Sequence, residues 1–187
     1  MKYKIYLASQ SPRRKSILKK LGFKLTVIPA HIKEAFIPGI PAQTQAIKLA
    51  LKKANAVSHK VKNGLIIAAD TIVMLNNKII GKPRNVSHAK KILRTLNDSC
   101  HYVITAIAVI EMPQQKQIVD FEKTTVYTRR LPLKKLDQFA KIHLDKAGGY
   151  AIQENDIFIK KICGDFSNVV GLPEKRLQKI LKHFNYE

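Results

Sequence analysis

The segment GLIIAAD, Gly64 to Asp70, decides the fold. Leu65 to Ala69 form an unbroken apolar run between a glycine and an aspartate. A run of this kind fits a strand buried on both faces. Toward the N-terminus, AQTQAIKLALKKANAVS at 42–58 repeats its apolar residues at helical spacing, with Lys52 and Lys53 on the helix. Residues 4–8 and 25–28 read as short strands, and the Pro/Gly-punctuated loop PAHIKEAFIPGIP comes next, carrying Glu34. Toward the C-terminus, NNK marks a hairpin-like turn, 79–80 a short return, GKPR a loop and 87–96 a helix. Residues 101–111 and 117–129, rich in Val, Ile, Thr and Tyr, predict a long antiparallel pair. A helix from Pro132 to about Ile142, a glycine turn in DKAGGY, a strand over 157–162 and a last helix near Pro173 complete the chain. Alternating elements early and a hairpin late give a mixed α/β fold in one domain, residues 1–187, without a linker or repeat.

The stretch LASQSPRRKSILKKLG, Leu7 to Gly22, raises an electrostatic question. Ser11 and Pro12 read as N-cap and first helical residue, and Gly22 as the stop. A helix N-terminus is its positive end, yet its first turn here holds Arg13, Arg14 and Lys15. An anion between them resolves the conflict, since free backbone N–H groups and guanidinium forks together bind phosphate. Loop N–H groups around Ser9 add donors. The alternative is that both arginines simply point to water.

Thirty-four basic against thirteen acidic residues give a net charge of +21 over 187 residues. A field of that size attracts polyanions, or it is a solvated lysine-rich surface; composition does not separate the two. Residues 1–99 carry twenty basic residues and three acids, Glu34, Asp70 and Asp98. Asp98 sits in turn-like LNDS, so Glu34 and Asp70 stand out as candidates for metal or proton work. Asp70 beyond a buried strand, near a phosphate cradle, can bind Mg²⁺ or orient a water; its bland role is to start a turn. In Gly81-Lys82-Pro83, Lys82 offers a further point charge for phosphate. No P-loop, dinucleotide fingerprint, G-x-S-x-G elbow or metal-spaced histidines occur. Cys100 and Cys163 read as buried thiols rather than a bridge. No membrane-length apolar run and no signal-peptide core are present, so the expected location is cytoplasmic, with no membrane partner.

Together these pieces resemble the Maf family of nucleoside triphosphate pyrophosphatases. The matches are LASQSPRR at 7–14, Glu34, LALKKANA at 49–56, AADTIV at 68–73, GKPRN at 81–85, YVITAIAVI at 102–110, DKAGGYAIQ at 145–153 and NVVGLP at 168–173. The resemblance implies an elongated mixed central sheet with flanking helices and two lobes around a nucleotide cleft. It also implies hydrolysis of a nucleoside triphosphate to monophosphate and pyrophosphate with Mg²⁺ or Mn²⁺. By the same match Asp70 is the proton acceptor, and Arg13, Thr71 and Gln153 lie at positions linked to substrate specificity. Glu34, Lys53 and Lys82 serve metal and phosphates, with Glu34 and Asp70 as metal ligands, and Ser9 and Arg14 complete the first motif. SPRR with a GxYxIQ segment is similar to the branch acting on dTTP and UTP. Gln153 suits a pyrimidine edge that both accepts and donates, and should reject cytosine. Glu154-Asn155-Asp156 departs from the usual glycine-containing turn and puts base preference, more than chemistry, in question. The other readings are a purine or 7-methyl-GTP pyrophosphatase of the same fold, and a non-enzymatic nucleic-acid-binding or division-septum regulator. A homodimer is left open.

Overall fold

A computed structural model describes residues 3–142, 144, 147–150 and 157–186. The predicted site residue Gln153 and the departure at 154–156 lie outside the described residues. The chain runs β1 (Ile5–Leu7), α1 (Pro12–Lys20), β2 (Leu25–Val27), α2 (Ala42–Ser58), β3 (Gly64–Leu75) and β4 (Lys78–Ile80). It continues with α3 (Val86–Leu96), β5 (Cys100–Met112), β6 (Lys116–Thr128), α4 (Leu133–Phe139), β7 (Ile159–Cys163), α5 (Phe166–Val170) and α6 (Glu174–Lys182). Among the described residues the sheet has seven strands in the order β2-β1-β3-β5-β6-β7, with β4 also on β3. β1 pairs in parallel with β2 and β3, while the remaining pairs are antiparallel. No helix among the described residues is long and apolar enough to cross a membrane.

Strand β3 organises the molecule. The expectation that it ends at Ala69 is wrong: DTIVML continues it to Leu75, where Asn76 and Asn77 take positive φ and turn the chain into β4. Asp70 is therefore inside a strand and starts no turn. One edge of β3 pairs with β5 from Gly64 to Met74. The other edge pairs with β1 over 65–67 and with β4 over 73–75. Between them, no strand pairs residues 68–72 on this edge among the described residues.

Alternation along β3 then assigns each face. Ile66, Ala68 and Ile72 pack against Ala46, Ala50 and Ala54 of α2, whose small side chains bring helix and sheet close together. Leu65, Ile67 and Ala69 pack on the opposite face under α1 and α6, and Val73 and Leu75 under α3 and α4. Two further expectations need correction, and one element went unanticipated. The helix after Pro132 ends at Phe139, and short α5 escaped notice because five residues show no period. Cys100 and Cys163 are exposed free thiols, not buried ones, since they sit at the ends of β5 and β7.

Candidate functional site

The break in the β3 edge opens into a cleft of about 670 Å³. The two short strands that flank the break also supply its rim: the β1–α1 turn on one side and the loop after β4 on the other. Ser9, Arg13, Arg14, Glu34, Lys53, Asp70, Thr71 and Lys82 all line it. The arginines after Pro12 and the carboxylate of β3 thus share one concavity. Four cationic side chains face two carboxylates, leaving a positive surplus suited to a polyanion.

Asp70 and Thr71, adjacent in sequence, point to opposite faces and meet different partners. On the α2 face, Lys53 comes from the buried side of the helix, whereas its neighbour Lys52 points outward to the Lys33 carbonyl. The Lys53 ammonium lies 2.6 Å from Asp70 Oδ1 and 2.6 Å from Glu34 Oε1. Lys82 reaches Glu34 Oε2 at 3.4 Å. Burial pushes the Asp70 carboxyl above the ordinary carboxylate range, outweighing the pull of Lys53 and Arg14. Burial also pushes Glu34 up, but the hydrogen bond and charge of Lys53, with Lys82, prevail and hold it below that range.

On the other face, Ser11 caps α1 by accepting from Arg14 N at 3.5 Å. The Arg14 guanidinium does not point to water. It donates to the Gly171 carbonyl (2.8 Å), Ser9 Oγ (3.2 Å) and Thr71 Oγ1 (3.1 Å). Gly171 takes φ +117° at the end of α5, which aims its carbonyl at Arg14. Farther along the cleft wall, Tyr150 is tied to His101 Nε2 at 2.6 Å. Sequence reading missed Gly171 and Tyr150, although GLP and GGY were both visible as glycine-marked motifs.

The donor set also bears on a metal. Two carboxylates already converge on one cation position, and oxygen donors suit Mg²⁺ or Mn²⁺, which bind through one or two carboxylates plus phosphate oxygens and water. Among the described residues no group of three His, Cys, Asp or Glu side chains is arranged to hold a metal by itself. The residues fit a metal that arrives with a phosphorylated ligand.

A sequence model of the family described as Maf-like protein matches residues 4–184. The chain belongs to the Maf family. A dTTP/UTP pyrophosphatase of Carboxydothermus hydrogenoformans is 39% identical to this Maf-family chain, covering 98% of it and 100% of the relative. One from Alkaliphilus oremlandii is 41% identical over 96% and 95%. One from Caldicellulosiruptor saccharolyticus is 37% identical over 98% and 96%. Among solved structures, a HAM1 protein from Coxiella burnetii aligns with TM-score 0.54 at 16% identity, covering 97% of this chain and 99% of that one. That likeness concerns the fold alone.

Proposed function

We propose that this Maf-family chain hydrolyses dTTP and UTP to the monophosphate and pyrophosphate, clearing them and pyrimidine analogues with the same edge from the nucleotide pool. The observation that carries the reading is the cation-rich cleft in which two carboxylates are gathered on one ammonium. The relatives that span nearly all of this chain bear that activity in their names.

Arg13, Arg14, Lys53 and Lys82 hold the triphosphate oxygens. Water attacks the α-phosphorus, the bond to the bridging α–β oxygen breaks, and its electron pair leaves on pyrophosphate. The proton lost by the water passes to Asp70, whose raised affinity for a proton makes it a better base than a free carboxylate. Glu34 and Asp70 would hold Mg²⁺ or Mn²⁺, which supplies charge neutralisation of the phosphates and a more acidic water when bound. Gln153 selects uracil and thymine through paired donor and acceptor bonds.

The test is a metal-supplemented panel of nucleoside triphosphates scored for pyrophosphate against phosphate. Pyrophosphate release fastest with dTTP and UTP is expected. Preference for a purine or 7-methyl-GTP, or salt-sensitive polyanion binding without turnover, overturns the reading.

A further inference from the structure

Behind Arg14 lies a row of polar groups that the proposed chemistry does not use. The β3–β5 register sets Thr105 directly opposite Thr71, with their hydroxyl oxygens 3.0 Å apart. Thr105 Oγ1 also lies 2.9 Å from the Asn168 carbonyl oxygen. A carbonyl only accepts, so the single Thr105 proton goes to Asn168. The bond between the two threonines must then be donated by Thr71, which commits its own single proton. On its other side Thr71 accepts from Arg14 at 3.1 Å. The direction of every bond in the row is thereby fixed: guanidinium to Thr71, Thr71 to Thr105, Thr105 to the Asn168 carbonyl.

This polarity limits what each threonine can do. Thr71 has no proton left to offer a base or a phosphate. Thr105 is fully buried and forms no part of the cleft wall, so it touches no ligand. The far end of the row is itself anchored, because buried Asn168 donates from Nδ2 to the Val103 carbonyl (3.0 Å) and to Thr124 Oγ1 (2.8 Å). A guanidinium gripped at Nε, and at both terminal nitrogens, is held in one orientation before any ligand arrives.

We infer that Thr105 is a positioning residue for Arg14, and that Thr71 influences the reaction by orienting that guanidinium rather than by reading the base. The inference rests on the proposed triphosphate chemistry of this cleft. Because phosphates are common to all nucleotides, disturbing the row should slow each of them alike.

The experiment compares Thr71→Val, Thr105→Val, the double variant and Thr105→Ser across dTTP, UTP, CTP and GTP. In parallel, solvent exchange of the Arg14 Nε–H is followed by NMR in nucleotide-free protein, the signal being assigned by its absence in Arg14→Lys. Each valine variant should lower kcat/KM by a common factor of about 10–100, the range for one hydrogen bond to a charged group, with the ratios between nucleotides unchanged. The double variant should be no worse than either single one. Thr105→Ser, which restores the hydroxyl, should recover most of the loss. Arg14 Nε–H exchange should accelerate in both valine variants and return to the wild-type rate in Thr105→Ser. A change in the dTTP-to-CTP ratio with Thr71→Val, or wild-type rates and exchange in Thr105→Val, overturns the inference. A wild type that releases no pyrophosphate instead sinks the proposed function, while the exchange measurement still judges the row.

Discussion

Lys53 is the residue on which the cleft's electrostatics turn. Its ammonium and the Asp70 carboxyl are both buried and 2.6 Å apart, so removing Lys53 strands Asp70 away from water, while exposed Glu34 keeps its access to solvent. Lys53→Met should therefore lower folding stability by about 3 kcal/mol, read by denaturant unfolding; an unaltered midpoint would contradict the ion triad. Asp70→Asn leaves the Lys53–Glu34 pair in place, so the fold should persist. Its kcat with dTTP should nonetheless fall by at least about a hundredfold, the usual cost of losing a general base. Near-normal turnover in that variant would remove Asp70 from the chemistry. Both carboxylates were nameable from the sequence, since they are two of only three acids among residues 1–99. Their shared contact with Lys53 was not, because it depends on Lys53 facing inward while Lys52 faces out, a distinction of one position on a helix.

Among the elements, the long ones were legible and the short ones were not. α2 occupies the predicted 42–58, since its Ala and Leu repeat at helical spacing over seventeen residues. β5 and β6 are likewise where alternating β-branched residues put them. β3 was cut short because aspartate is a turn former by habit, and only the partner β5 running alongside shows that the ladder continues. α5 was invisible, yet it and its C-cap supply both carbonyls that hold the Arg14 row, from Asn168 and Gly171. Its N-cap is Asp165, whose Oδ1 accepts from Ser167 N (2.7 Å), Ser167 Oγ (2.5 Å) and Asn168 N (3.3 Å). Asp165→Ala should cost about 1 kcal/mol of stability in thermal or denaturant melts, and slow dTTP turnover at the same time. A variant that loses stability with turnover intact would uncouple α5 from the cleft.

At the scale of the whole molecule, a buried histidine adds to the acid sensitivity that the ion-paired carboxylates Glu34 and Asp137 confer. His101 is fully buried, and burial pulls its imidazole down to about 4. An unfolded histidine titrates near ~6.5, so between there and about 4 the unfolded chain binds a proton that the folded chain refuses. Stability should accordingly be full above pH ~6.5 and fall as the pH drops, by about 3 kcal/mol at pH 4. His101→Gln keeps a hydrogen-bonding group beside Tyr150 without the titration, and should flatten that decline in unfolding midpoints measured across the window. Parallel curves for the two proteins would place the acid sensitivity elsewhere.

Clamshell enzymes swallow their ligands by swinging two bodies about a pivot, and neither β3 nor β5 has a break to serve as one. Twelve residues of β3 and thirteen of β5 pass uninterrupted beneath the notch, and both jaws are stitched to the same strand. At the mouth, Lys82 and Glu34 both face solvent, so their ion pair can part for an entering anion without moving the sheet beneath.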